Sequence, residues 1–239
     1  MATAFKTIWA RAAKRKGGDK ALQALLPKVP DQKALAKLND DRVLAEMTRR
    51  VFSAGFVWQV IDAKWDGFEA AFLSFQPKKL LHKSDEFWEK LASDARIVRN
   101  GQKIMTVRAN AQFILEIAAE HGSFGKFLQS WPVADQVGLM ELLAKRGSRL
   151  GGNTGQYLLR FLGKDGFVTS NDVITCLRDA GVELSQTAAS KKDLRKIQDQ
   201  FNAWAKESSL PYMHVSRVCA MSVGQNYDEA TLKKMRGDE

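Results

Sequence analysis

Apolar residues recur along most of the chain at spacings of three and four, which is the period of an amphipathic helix. Strict alternation of apolar and polar residues, the mark of a half-buried strand, is rare. The segments with the clearest helical spacing are residues 41–61, 68–75, 104–118, 139–143 and 157–162. The pattern therefore predicts an all-α protein of about ten short helices.

Helix-breaking residues separate these segments and suggest how the chain is divided. Pro27 and Pro30 close an N-terminal stretch, and Pro211 precedes the last apolar segment, which we predict to be a helix over residues 213–223. We expect an N-terminal helical arm over residues 1–40, a main domain over 41–225 and a C-terminal tail over 226–239.

The charge balance narrows the class of partner. The chain carries 37 Lys and Arg against 27 Asp and Glu, a formal net charge of +10. A protein this basic is expected to bind a polyanion, either nucleic acid or an anionic membrane surface. Two cysteines, Cys176 and Cys219, exclude a disulfide scaffold and fit a reducing compartment. No apolar run is long enough for a signal peptide or a membrane span.

A glycine-rich segment after residue 142 is the strongest chemical signal. We expect one helix to end near Arg146 and the next to begin near Thr154. Glycines between them allow close backbone approach, so amides of the turn and of the second helix's N-terminus can point together at a phosphate oxygen. Nearby basic side chains would add positive charge. The predicted DNA contacts are Lys145, Arg146, Arg149, Gly151, Gly152, Asn153, Thr154 and Gly155.

The alternative interpretation of this segment is an ordinary glycine-rich turn with incidental basic residues, and both remain open. Asp172 follows Thr154 by 18 positions, enough for a helix of roughly ten residues to fold back toward the turn. A carboxylate there would stabilise an oxocarbenium ion or orient water for attack on it. Alternatively, Asp172 only caps a helix over residues 173–179.

Several motifs, taken together, resemble the DNA-3-methyladenine glycosylase I family. They match in order and spacing over residues 41–177. They are Ala54-Gly55-Phe56-Val57-Trp58, residues 68–75, the run Ile97-Val98-Arg99-Asn100 with Lys103-Ile104, Asn110-Ala111, residues 124–131 and the hairpin from Lys145 to Gly155. The Gly-Gly-Asn-Thr-Gly hairpin is similar to that of the wider helix-hairpin-helix glycosylase superfamily.

The resemblance implies a two-lobed, all-α helix-hairpin-helix fold and hydrolysis of the N-glycosidic bond of an alkylated purine. The target base would be flipped into an aromatic pocket. Trp58 matches the family's pocket tryptophan and would stack on the base, most favourably on a cationic one; a core position for Trp58 is the alternative. Asn153 stands where lyase-type members carry a nucleophilic lysine, which implies a monofunctional enzyme that uses water.

Two departures from the family pattern bear on the site. The family's structural zinc needs four ligands, whereas this chain has no Cys or His before His82 and only His214 and Cys219 near its end. We therefore predict no metal and no cofactor. The family's base-recognising glutamate is replaced by Arg50, which can only donate hydrogen bonds and would repel a cationic adduct. Glu46, one helical turn earlier, is the substitute candidate.

These observations predict a monofunctional DNA glycosylase that excises alkylated, 3-methyladenine-like purines in base excision repair. Double-stranded DNA containing damaged bases would be its partner, and no membrane would be involved. We expect a cytoplasmic, nucleoid-associated monomer. The first alternative is a non-catalytic protein that binds damaged or distorted DNA on the same scaffold. A second is an unrelated helical protein that binds an acidic surface.

Overall fold

The computed structural model describes residues 2–55, 57–228 and 231, and helices account for all regular structure within them. The prediction of an all-α protein is confirmed. The described part of the chain contains fourteen α-helices: α1 Phe5–Lys16, α2 Asp19–Ala24, α3 Asp40–Ser53, α4 Trp58–Ala63, α5 Trp65–Ala71, α6 Pro77–Leu81, α7 Asp85–Leu91, α8 Gly101–His121, α9 Phe124–Ser130, α10 Gln136–Arg146, α11 Gly152–Phe161, α12 Asn171–Asp179, α13 Lys191–Ser208 and α14 Tyr212–Ser222. Short 3-10 helices lie at Gln32–Lys37, Leu73–Phe75 and Val133–Asp135.

The prediction of about ten helices is wrong, since the described residues form fourteen α-helices. Several of them are too short to give a periodic signal over the usual sequence window. Helices α2, α4, α5, α6 and α7 have five to seven residues each. The apolar pattern over residues 41–61 also runs through a break. Helix α3 ends at Ser53, and Gly55 adopts a φ of 77°, which places Trp58 at the start of a new helix.

The chain divides into two compact units. One comprises residues 30–164, and the other combines residues 2–29 with the described residues from 165 onward. The sequence-based division at residues 40 and 225 stays a prediction, and most of the predicted tail lies outside the described residues. No helix in the described ranges has both the length and the apolar character needed to cross a membrane.

Helix α8 is the central element of the unit formed by residues 30–164. It packs against α3, α6, α7 and α9, and it buries an apolar face that includes Ile104, Val107 and Ile114. The Asn100 side chain caps its first turn by accepting a hydrogen bond from the Lys103 amide (3.0 Å). Helix α8 thus provides a rigid support for the segments that form the candidate site.

The other unit brings the two ends of the described chain together. Helix α1 packs against α14 and α13, and α12 packs against α14. The Trp204 indole donates to the Thr3 carbonyl (3.0 Å). The Arg15 guanidinium donates to the carbonyls of Met221 and Val223. The helix that opens the sequence is therefore an integral part of this unit's core.

Candidate functional site

An open pocket of about 240 Å³ lies within the unit formed by residues 30–164. The end of α3, the start of α4 and the start of α11 form its walls. The lining residues are Arg50, Ser53, Ala54, Gly55, Trp58, Asn153, Thr154 and Tyr157. The structure therefore brings two predicted base-binding residues, Arg50 and Trp58, next to two residues of the predicted DNA-binding hairpin, Asn153 and Thr154.

A buried lysine holds the wall that α3 contributes. Lys103 is 5% exposed, and its ammonium donates to the carbonyls of Phe52 (3.0 Å) and Ala54 (2.6 Å). These carbonyls lie at the end of α3, where no following turn supplies a donor. Burial lowers the pKa of Lys103, and the nearby charge of Arg149 lowers it further. Lys103 thereby fixes the backbone that leads from the end of α3 into Gly55 and the pocket.

A buried asparagine holds the hairpin between α10 and α11. The Oδ1 atom of Asn110 accepts from the Ser148 amide (2.7 Å), and its Nδ2 donates to the Ser148 carbonyl (3.1 Å). Gly155 lies where α11 crosses the turn, and a Cβ there would collide with the Leu150 carbonyl oxygen. Asn110 is therefore needed to hold the turn close to α8, and Gly155 is needed for the close approach of the turn to α11.

The start of α11 is open to a ligand. Its N-cap is Gly151, whose lack of a side chain leaves the first amides of the helix without a side-chain cap. Gly152 and Asn153 are exposed there. Unpaired amides at the positive end of the helix dipole form a site suited to an anion.

The three predicted basic contacts differ in their surroundings. Arg146 forms ion pairs with Glu116 (3.4 Å) and Glu120 (2.8 Å), and the hydrogen bond with Glu120 raises the pKa of Arg146. Much of its charge is therefore compensated locally. Lys145 and Arg149 are exposed and form no ion pair with a described residue. Arg149 donates to the Gln102 side chain (2.6 Å), which is uncharged.

Arg50 lies buried at the back of the pocket, 6% exposed. Its Nε is 2.6 Å from Oε1 of Glu46. Its Cζ lies 4.7 Å from the centre of the Trp58 ring and 3.9 Å from that of Phe161. Burial lowers the pKa of Arg50 and raises that of Glu46, and the ion pair opposes both changes. Glu46 stands behind Arg50 and is not among the lining residues.

Trp58 is a pocket residue, and its alternative assignment to the core is wrong. The side chain is 39% exposed and lines the pocket. Tyr157 packs edge-to-face against it, with ring centres 5.8 Å apart, and Phe161 lies at the same distance with its ring tilted. The aromatic partners on α11 hold the indole ring in place while part of its surface stays accessible.

Asp172 lies in the other unit, as the second residue of α12. The assignment of Asp172 as the helix cap is wrong, because the Ser170 hydroxyl accepts the hydrogen bond from the Val173 amide (3.4 Å). The half-buried Asp172 carboxylate has no hydrogen-bond partner among the described residues. Gly224 presses against it so closely that a Cβ there would collide with Oδ1. Its predicted place near the hairpin stays a prediction.

The residues present do not fit the zinc site that the resemblance implies. His214 Nε2 lies 2.7 Å from the Pro27 carbonyl oxygen. Cys219 is fully buried, and its interaction with the Cys176 thiol lowers the pKa of Cys176 to about 7. No group of three or more His, Cys, Asp or Glu side chains suited to a metal occurs in the described ranges. That the protein lacks zinc stays a prediction.

Sequence reasoning missed several pocket residues. The pocket is also lined by Ser53 and Tyr157. Phe161 packs against the Trp58 ring. Tyr157 and Phe161 are four residues apart on the helix that follows the hairpin, so they share a face. That spacing is the signal that could have identified them.

Several solved structures are similar to part of this chain. A variant of 3-methyladenine DNA glycosylase I crystallised with 3-methyladenine is 24% identical, with 53% of this chain and 78% of that chain covered and a TM-score of 0.47. The Staphylococcus aureus enzyme of that name is 23% identical over 53% and 77%, with a TM-score of 0.47. A further structure of 3-methyladenine DNA glycosylase I is 21% identical over 59% and 82%, with a TM-score of 0.46.

The family assignment itself rests on the sequence. A model of the methyladenine glycosylase family matches residues 32–178, which is more than half of the chain. The match includes the pocket, the hairpin and Asp172. The chain therefore belongs to the methyladenine glycosylase family of DNA glycosylases.

Proposed function

We propose that this protein is a monofunctional DNA glycosylase that removes a damaged purine from double-stranded DNA as the first step of base excision repair. The observation that carries the proposal is the shared wall of the pocket, where Trp58 faces the start of α11 at Asn153 and Thr154. A flipped base and the phosphate beside it could thus be held by neighbouring elements. Family membership excludes the second alternative, an unrelated helical protein that binds an acidic surface.

The hairpin would hold the DNA backbone. The open amides at the start of α11 offer donors to a phosphate oxygen, and the exposed Lys145 and Arg149 add positive charge. Such contacts read phosphate and not sequence, so they suit an enzyme that must search all DNA.

The pocket would hold the flipped base against the accessible part of the Trp58 side chain. Alkylated purines are the substrate class that family membership favours. No lysine stands at the hairpin position of Asn153, so the reaction would use water without a covalent intermediate. The Asp172 carboxylate, unused by hydrogen bonds of the described fold, would stabilise the developing oxocarbenium ion or orient the water.

The test is release of free bases from methylated duplex DNA, followed by chromatography. We expect Asp172→Asn to lower the excision rate by about a hundredfold or more, since a positioned acid–base or electrostatic group contributes on that scale. DNA affinity should change little. Asp179→Asn, at the exposed end of the same helix, is the matched control. Unchanged excision by Asp172→Asn would overturn the role given to Asp172.

A second candidate function is non-catalytic recognition of damaged or distorted DNA. The specific observation in its favour is the Arg50 guanidinium, which lies over the rings of Trp58 and Phe161 beside the pocket. Strong, salt-dependent binding of damaged duplex without release of any base would favour this function over excision. We propose that in either case the protein acts as a monomer in the cytoplasm, in association with the nucleoid.

A further inference from the structure

We propose that Arg50 makes the pocket selective for a neutral purine that presents a hydrogen-bond acceptor, and that it disfavours purines carrying a positive charge. This inference rests on the proposed function, because it names the substrate class of the same pocket. Neutral purines of this kind carry a carbonyl or alkoxy oxygen at C6. Purines alkylated at N3 or N7, by contrast, are cations within DNA.

The first observation is an unused donor. Arg50 is 6% exposed and lines the pocket, and its Nη1 is a buried atom with no hydrogen-bond partner among the described residues. Buried polar groups are almost always paired in folded proteins, because an unpaired donor is costly. An acceptor atom on a bound base would complete the hydrogen bonding of this guanidinium.

The second observation is the charge that the pocket presents. Arg50 is the charged residue among the described residues that line it, and none of them is a carboxylate. The guanidinium stays protonated at neutral pH even though burial lowers its pKa, since the ordinary value is so high. A cationic base would therefore meet a like charge in a partly desolvated site.

The third observation concerns the aromatic rings. Trp58 and Phe161 already have a cation over their faces, with Cζ of Arg50 at 4.7 and 3.9 Å from the ring centres. The Arg50 side chain thus already makes the cation–π interaction that would otherwise favour a charged base. A neutral base loses nothing by this arrangement, because stacking on Trp58 does not need a charge.

Glu46 does not restore selectivity for a cation. Its carboxylate is 2.6 Å from Nε of Arg50 and is not part of the pocket wall. It therefore pairs with the Nε side of the guanidinium and adds no negative charge to the pocket wall. The neighbouring Arg49 points elsewhere, with its Cζ 4.0 Å from the centre of the Trp65 ring.

Two small probes test the inference without DNA: neutral 9-methylhypoxanthine, which has a carbonyl at C6, and the permanent cation 3,9-dimethyladeninium. Binding is followed through the indole N–H resonance of Trp58 in a nitrogen–proton correlation spectrum, assigned with Trp58→Phe. We expect the neutral probe to bind the wild-type protein at least about tenfold more tightly, a ratio that corresponds to about 1.4 kcal/mol.

Arg50→Gln removes the charge while keeping a donor, and it should bring the ratio of the two dissociation constants close to one. Arg50→Glu should invert the ratio if the variant folds, which circular dichroism checks. Arg49→Gln, which removes the same charge from the adjacent position outside the pocket, should leave the ratio as in the wild type.

Tighter binding of the cation by the wild-type protein would overturn the inference, as would an unchanged ratio in Arg50→Gln or no binding of the neutral probe. Base release from duplex DNA is scored separately. If the probes bind with the expected preference and no duplex loses a base, the proposed catalytic function fails while the selectivity of the pocket stands.

Discussion

The clamp between α8 and the hairpin can be removed by one substitution, Asn110→Ala. Asn110 is 1% exposed and makes two hydrogen bonds, both with the backbone of Ser148. The substitution leaves the helix intact, because alanine is the best helix former. It frees the turn that precedes α11 from its support on α8.

The magnitude follows from these two bonds. Each hydrogen bond contributes about 0.5–1.5 kcal/mol net, so their loss costs about 1–3 kcal/mol. Ser148 is half-buried, so water reaches the freed groups and favours the lower half of this range. A loss of about 1–2 kcal/mol lowers Tm by about 2–8 °C in a chain of this size.

Thermal unfolding followed by circular dichroism measures the change in Tm, and fluorescence anisotropy with an undamaged duplex measures DNA affinity. We expect both to fall in Asn110→Ala, since a loosened turn no longer presents the α11 amides in a fixed arrangement. Gln112→Ala is the control: Gln112 is exposed on the same helix, and its side chain donates to Glu116 in the following turn. A Tm and a DNA affinity equal to those of the control would refute the role of Asn110.

Three further predictions concern the hairpin and the stability of the fold. Gly155→Ala places a Cβ against a backbone carbonyl of the turn and should cost about 1–3 kcal/mol in unfolding free energy, whereas Gly101→Ala meets no atom within 4 Å and should cost little. Lys145→Gln should reduce the slope of log K against log salt by close to one, and the internally paired Arg146 should give a smaller reduction when changed to Gln. Two serine hydroxyls hold the pKa of Asp193 at about 2, below its ordinary value, so its stabilising effect is present above about pH 4 and is lost as the pH falls toward 2. The Tm difference between wild type and Asp193→Asn should therefore be largest at neutral pH and should disappear as the pH falls to about 2.

Contrary outcomes are equally direct. Equal stability of Gly155→Ala and Gly101→Ala would mean that the turn moves away from α11 without cost. Equal salt slopes for Lys145→Gln and Arg146→Gln would mean that the acidic partners of Arg146 release it on DNA. A Tm difference for Asp193→Asn that does not change with pH would contradict the depressed pKa.

Sequence patterns predicted where the helices around the site end better than they predicted which side chains contact each other. The end of one helix at Arg146 follows from the glycines after it. The pairing of Arg146 with Glu116 and Glu120 does not follow, because it depends on how close the folded chain brings the end of α10 to the end of α8. Spacing alone likewise left Asp172 as a candidate helix cap, and only the backbone geometry identifies Ser170 as the residue in that position.

The position of Arg50 shows the same limit for the pocket. Its departure from the family's glutamate is visible in the sequence, and so is the presence of Glu46 one turn earlier. That the guanidinium turns inward depends on Phe161, which the packing of α11 against α3 brings to within 3.9 Å of it. Residues more than 100 positions apart therefore decide what the pocket can accept.

The pairing of α1 with α14 has a consequence for biosynthesis. Residues 30–164 form their unit from one continuous stretch and can complete it while later residues are still being translated. Helix α1, which buries Phe5, Ile8 and Ala12, emerges from the ribosome long before α13 and α14, two of the helices it packs against. For most of translation the apolar face of α1 therefore lacks these partners, and it is completed only when synthesis is nearly finished.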